Sequence, residues 1–245
     1  EQAGEEECVT CYELGTGRQL WRHADPAHYN TTIAGEGPRC TPTVAGDRVV
    51  TLGATGRLNC LELATGRRVW TRDLTKDAEA GAPGWGFSGS PLVYGDKVIV
   101  SGGGGNHRSL LAYRLGDGEI AWTGGDAPAG YSSPAFAVLA GTPQFLLFNA
   151  RRITAHAPDT GAVLWEYPWG LGQPHVAQPV VVAGNQVVFS SGYGVGAELL
   201  EVGRGTNGTW AAQRLWKSPR LKSKFANFFA LDGHLYGLDD GVLAW

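Results

Sequence analysis

The sequence predicts an all-β chain of four-stranded antiparallel sheets set radially about an axis, a β-propeller, on three observations. A turn-and-tryptophan phrase recurs along the chain, a proline-led phrase recurs with the same period, and glycine abounds beside aromatic residues. The first phrase reads ELGTGRQLW at 13–21, ELATGRRVW at 62–70, RLGDGEIAW at 114–122 and APDTGAVLW at 157–165. Its tryptophans, Trp21, Trp70, Trp122 and Trp165, with Trp216 in a looser copy, stand 43 to 52 residues apart. The second phrase is TPTV at 41–44, SPLV at 90–93, SPAF at 133–136 and QPVV at 178–181. With 37 Gly, the chain still carries nine Trp and is 43% hydrophobic. That balance excludes disorder, which lacks aromatic and β-branched residues.

One unit, 41–70, gives the strand order. PTVA is a short first strand, where a leading Pro forfeits no ladder hydrogen bond. Gly46-Asp47 is a two-residue hairpin turn. RVVTL is an apolar second strand, GATGR turns it, LNCLEL alternates as the third, and RVW closes the unit as the fourth. The same hairpin signal returns at Gly95-Asp96 and Gly184-Asn185. Gly17, Gly66, Gly118 and Gly161 occupy the turn before the fourth strand, where a positive φ is expected. The tryptophans that follow are broad plates suited to wedge between neighbouring sheets.

The whole chain, 1–245, reads as one such domain. Complete blades are expected at about 40–73, 89–124, 133–168 and 177–217. Partial ones are expected at 8–21, as a second half, and at 226–245, as a first half with VLAW opening a third strand. The chain has no Met, so Glu1 is read as other than the natural start. The reading is a piece of a ring of seven or eight blades; the alternative is a ring of five in which the two halves meet.

Bulk electrostatics point away from nucleic acid, because the formal net charge is −3. No apolar run is long enough to span a bilayer. Cys8 and Cys11 have CxxC spacing, but no second ligand pair follows and no helix setting supports a redox site. Cys11 falls in the repeat slot of Cys60, Ala112 and Ala155, which marks a position for small inward side chains. The six His are scattered. SGGGGNH at 101–107 lacks the lysine and the helix of a phosphate loop, and GFSGS at 86–90 lacks the setting of a nucleophile elbow.

The unit A-x-x-x-x-T-G-x-x-x-W resembles the pyrroloquinoline-quinone (PQQ) type repeat. That repeat is found in quinoprotein alcohol dehydrogenases, in the assembly lipoprotein BamB and in PQQ-like envelope proteins. WGFSGSPLVYGDKVIVSGGG, AGYSSP and FANFFALDGHLYGLDDGVLA carry the likeness to the last group. The resemblance implies a propeller and a periplasmic or other extracytoplasmic location. For the catalytic members it implies a calcium-held quinone beside a vicinal disulfide. This sequence has no adjacent cysteines, and its paired carboxylates, Asp239 and Asp240, fall at a turn. No cofactor or metal is therefore expected, PQQ and calcium entering only under the oxidoreductase alternative.

In this strand order the segments leading into each first strand share one face with the turns between second and third strands. Those leading segments are GEGPRC, APGWGFSG, PAGYSS, GQPHVAQ and KSKFAN. They bring Arg39, Trp85, Phe87, Tyr131, His175, Gln178 and Lys224 towards a rim. The turns add Asn106, His107, Arg151, Arg152 and Tyr193. Aromatic and Arg side chains of this kind are enriched at binding hot spots. Trp85 and Phe87 have a plainer reading, as plugs of the channel, and Arg39 and His175 as solvated loop residues. The expected function is a non-catalytic, protein- or peptide-binding scaffold in the bacterial cell envelope. The alternatives are a PQQ-dependent dehydrogenase-like enzyme and a sensor domain of a larger protein.

Overall fold

The repeated phrases fold into consecutive antiparallel sheets, each joined to the next around a common axis. The computed structural model describes residues 1–33, 35–170 and 174–245. Blade I holds Gln2–Ala3, Glu6–Tyr12 and Gln19–Pro26. Blades II to V each have four strands, a to d, paired in sequence order. Blade II runs Thr43–Ala45, Arg48–Leu52, Arg57–Glu62 and Arg68–Asp73. Blade III runs Leu92–Tyr94, Lys97–Gly104, Arg108–Arg114 and Ile120–Gly124. Blade IV runs Ala135–Leu139, Thr142–Phe148, Arg152–His156 and Val163–Pro168. Blade V runs Val180–Ala183, Gln186–Ser191, Gly196–Arg204 and Trp210–Ser218. Blade VI has Phe229–Leu231, His234–Asp239 and Val242–Ala244. The fold is the all-β propeller that the repeats predict, and blade I gains a short extra strand, Gln2–Ala3, ahead of its c and d strands.

The core lies at the seams between blades. Val50, Leu58, Cys60 and Trp70 of blade II pack on Val98, Leu111 and Tyr113 of blade III. Ile99, Leu110 and Trp122 of blade III meet Phe145 and Leu147 of blade IV. Leu146, Phe148 and Trp165 of blade IV meet Val187, Phe189 and Leu200 of blade V. Strand alternation explains this: in blades II to V the b and c strands bury both faces, one against the preceding blade and one against the following blade.

The recurring turn has a specific task at these seams. Trp21 Nε1 donates to Leu63 O at 2.9 Å, Trp70 Nε1 to Leu115 O at 2.8 Å and Trp122 Nε1 to Pro158 O at 2.9 Å. Each acceptor sits just before the Thr-Gly or Asp-Gly turn of the next blade. The ring then lies flat on that turn's glycine: a Cβ on Gly66, Gly118 or Gly161 would come within 2.4–2.6 Å of the indole. Glycine is required there twice over, by contact and by a φ of about +70° to +75°. Opposite each Trp in its own blade stands the small slot: Cys11, Cys60, Ala112 and Ala155 pair with Trp21, Trp70, Trp122 and Trp165. A bulge follows immediately in all four ladders.

Blade V departs from the scheme, with Leu199 in the small slot opposite Trp216. Trp165 turns to Gln144 Oε1 within its own blade, at 2.8 Å. Two short elements interrupt the repeat. A hairpin pairs Asn30–Thr31 with Gly35–Glu36 between blades I and II. A one-turn helix, Leu74–Ala78, follows blade II, with Asp73 as N-cap accepting from Thr75 N at 3.2 Å. Arg72 clamps Asp77 through two bonds of 2.8 and 2.9 Å, and Tyr113 Oη donates to the same carboxylate at 2.9 Å. Among the described residues no helix is long and apolar enough to cross a membrane.

Candidate functional site

The residue before each leading proline builds the inner wall. Thr41 N donates to Ser90 Oγ at 2.9 Å, Ser90 N to Ser133 Oγ at 2.8 Å, and Gln178 N to Asn227 Oδ1 at 2.9 Å. Gln178 Nε2 also reaches Pro134 O at 3.3 Å, which links blade V to blade IV. The a strands of neighbouring blades do not pair with one another, and short polar side chains bridge the segments that lead into them. Ser, Thr, Gln and Asn suit the slot because each can carry such a bridge.

Above this polar ladder the leading segments enclose a cavity of about 400 Å³. Arg39, Trp85, Tyr131 and Phe225 line its walls, with Ser88, Ser133 and Asn227 towards the ladder. Trp85 stacks on Tyr131 at 5.3 Å between ring centroids and meets Phe225 edge-on at 6.4 Å. Trp85 N donates to Tyr131 Oη at 3.3 Å. Burial pushes the Tyr131 phenol above its ordinary range, so it stays neutral. Phe225 is 64% exposed, an apolar ring held at the opening without a cover.

A second hollow, of about 660 Å³, adjoins the first through Phe225. Here Lys224 Nζ lies 4.5 Å from the Tyr193 ring centroid and 5.5 Å from that of Phe225. Close approach is possible because Gly192 has no side chain, since a Cβ there would meet Lys224 at 2.7 Å. The same hollow is lined by Lys222 and Asp240. On the other flank the Arg39 guanidinium lies 5.1 Å from the Tyr29 ring and donates to the Gly35 and Gly37 carbonyls. Tyr29 in turn donates to Gly84 O at 2.9 Å and so pins the segment carrying Trp85.

The sequence-derived rim residues divide into three groups. Arg39, Trp85 and Tyr131 line the first cavity, and Tyr193 and Lys224 line the second. Gln178 belongs to the ladder, while Asn106 and Arg151 are exposed in b–c turns outside both hollows. Phe87 and His175 are buried. Phe87 packs into the blade II–III core, and His175 stacks on Phe148 at 4.3 Å with Nδ1 2.6 Å from Asn149 O. Burial lowers the His175 pKa, which keeps the imidazole neutral. The backbone of His175 still serves the mouth, since its carbonyl accepts from Tyr131 N at 2.8 Å. Of the segment GQPHVAQ, Gly172 and Gln173 lie outside the described residues. Phe225, Asn227 and Tyr29 also shape the mouth, outside the sequence-derived rim residues. Asn227 was legible, as the last member of the slot formed by Thr41, Ser90, Ser133 and Gln178.

All four cysteines are free thiols. Burial pushes Cys60 up to about 11 and raises Cys40 further still, so neither is poised as a nucleophile. Among the described residues no group of three or more His, Cys, Asp or Glu could hold a metal ion.

The family model described as outer membrane protein assembly factor BamB matches residues 5–245. The chain belongs to that family. Among solved structures, BamB from Moraxella catarrhalis is similar with a TM-score of 0.62 and 20% identity. That match covers 99% of this chain and 69% of that one. Quinohemoprotein alcohol dehydrogenase from Comamonas testosteroni gives a TM-score of 0.56 at 19% identity, over 84% of this chain and 43% of that one. A europium-containing methanol dehydrogenase gives 0.55 at 17% identity, over 91% and 54%. At these identities the likenesses speak for the fold alone. A search of curated proteins found no match. For this BamB-family chain the repeat therefore defines the architecture, and the chemistry of the mouth must be read from its own residues.

Proposed function

We propose that the chain is a non-catalytic scaffold of the bacterial cell envelope that binds a protein segment at the mouth of its axis. The observation that carries this reading is the aromatic group of half-buried Trp85 and Tyr131 with exposed Phe225, flanked by Arg39 and Lys224. Rigid aromatic rings offer large contact area with little side-chain entropy to lose, and the two cations suit a segment with acidic residues. The family description, a factor of outer membrane protein assembly, supports a protein partner and an envelope location. The donor set does not fit a calcium-held quinone. The first cavity is lined by hydroxyl, amide and guanidinium groups without a carboxylate, and the four cysteines are unpaired and non-adjacent.

The test is site-specific photo-crosslinking in cells. A benzoyl-phenylalanine replacing Phe225 is expected to trap a discrete protein partner. The same residue replacing Thr65, on a c–d turn of the opposite face, is expected to trap none. Equal crosslinking from both faces, or dye-linked alcohol oxidation on adding PQQ and calcium, would overturn the proposal.

A further inference from the structure

The seam between blades I and II carries a polar cavity. Glu7 and Asp25 stand directly opposite each other in the blade I ladder. Thr51 and Asn59 stand opposite each other in the blade II ladder. All four line a cavity of about 190 Å³. Like charges directly opposite across a ladder repel, and here both are buried, at 5% and 6% exposure. The repeat supplies an internal comparison. The positions equivalent to Glu7 and Asp25 are Gly56 and Leu74 in blade II, Arg108 and Asp126 in blade III, and Arg151 and Trp169 in blade IV. Only blade I of these sets two acids face to face.

The protein leaves this charge incompletely answered. Glu7 Oε1 accepts from Ala54 N at 3.2 Å, while Oε2 has no partner. Asp25 Oδ2 accepts from Asn59 Nδ2 and lies 3.5 Å from His23 Nε2, and Oδ1 has Arg68 Nη1 at 3.9 Å. Asn59 is 2% exposed, and its Oδ1 has no partner. A buried amide oxygen left unpaired costs about 1–3 kcal/mol, and this one lies in the wall of the same cavity as the two carboxylates. Arg57 also lines the cavity, but among the described residues no ion pair joins it to either acid. Burial pushes the Glu7 carboxyl above the usual range, and the Asp25 charge adds to this.

We propose that the cavity formed by Glu7, Asp25 and Asn59 binds a primary alkyl ammonium group. Three acceptor oxygens with spare capacity, Glu7 Oε2, Asp25 Oδ1 and Asn59 Oδ1, match the three N–H donors of such a group. A cation there separates the two carboxylates electrostatically and satisfies the amide. The volume is well beyond the roughly 10–15 Å³ that one water needs, which leaves room for the methylenes next to the nitrogen. A metal ion fits less well, because a calcium-type ion takes about 6–8 oxygens and the cavity offers two carboxylates. The group can come from a free amine or from a lysine side chain of another protein.

The test uses the wild-type chain with n-butylamine hydrochloride, N-acetyl-lysine methylamide, tetramethylammonium chloride and calcium chloride at matched ionic strength. Calorimetric binding and a saturable rise in melting temperature are expected with butylammonium and not with tetramethylammonium, which has no N–H. Binding of the lysine derivative as well assigns the site to a protein side chain; binding of butylammonium alone assigns it to a free amine. Glu7→Gln keeps the shape and the Ala54 contact, and is expected to weaken binding at least about tenfold while leaving the fold as stable or more so. Three results overturn the proposal: equal effects of butylammonium and tetramethylammonium, stabilisation by calcium alone, or full affinity in E7Q.

Discussion

Gly118→Ala is expected to destabilise the chain by about 2–5 kcal/mol, against about 1–2 kcal/mol for Gly17→Ala. The two glycines hold the same place in the repeat and nearly the same backbone conformation, with φ of +75° and +70°. Both alanines therefore carry the cost of the left-handed region, about 1–2 kcal/mol. They differ in what the new methyl meets. At Gly118 a Cβ would lie 2.6 Å from Trp70 Cδ2 and 2.8 Å from Cε3, whereas at Gly17 nothing lies within 4 Å. Trp70 cannot retreat, because its nitrogen is bonded to Leu115 O and its ring is packed in the blade II–III core. Overpacking of that kind adds about 1–3 kcal/mol. Urea unfolding of the two variants measures the difference, and equal losses would mean that the Trp–Gly contact carries no weight.

Removing the ring instead of crowding it is expected to cost as much. Trp70→Ala should lose about 3–5 kcal/mol, since the indole is 8% exposed and fills the seam beside Tyr113 at 6.4 Å. Trp70→Phe keeps most of the apolar surface and gives up the bond to Leu115 O, leaving that carbonyl to find water, for about 1–3 kcal/mol. Trp216→Ala is the contrast. That ring is 37% exposed and makes no hydrogen bond among the described residues, so its loss should stay below that of Trp70→Ala. Chemical denaturation reads all three, and a W216A loss equal to that of W70A would contradict the seam assignment.

The sequence carries the blades because both of their signals are local. A strand announces itself by alternation and a turn by its Gly, so RVVTL, LNCLEL and RVW could be placed by inspection of 30 residues. The partner of each Trp is not local. That Trp70 rests on Gly118 depends on how one sheet is set against the next, which the repeat implies without specifying. The mouth was legible in part, since position in the repeat puts Arg39, Trp85 and Tyr131 in leading segments, and all three line the first cavity. Those segments are not regular strands, however, Gly86 turning the chain at a φ of +75° between Trp85 and Phe87, and this is where pattern alone fails. Trp85 lines the mouth while Phe87 enters the core, and His175 turns into the blade while the next residue, Val176, takes the lining position. The hairpin at Asn30–Thr31 and Gly35–Glu36 and the helix Leu74–Ala78 have no counterpart in the other units, so the repeat could not forecast them. The Glu7–Asp25 pair needs the register of a ladder to bring together two residues that no repeat signal links.

The aromatic mouth is most directly tested by the affinity of the partner trapped at Phe225, measured by calorimetry for the wild type and for Trp85→Ala combined with Phe225→Ala. Central aromatic anchors each contribute about 2 kcal/mol or more, so the double variant is expected to bind at least about 100-fold more weakly. Its urea midpoint should remain near that of the parent, because Phe225 is exposed and Trp85 packs on the mouth rather than in a seam. Unchanged affinity in a folded double variant would contradict a partner-binding role for this surface.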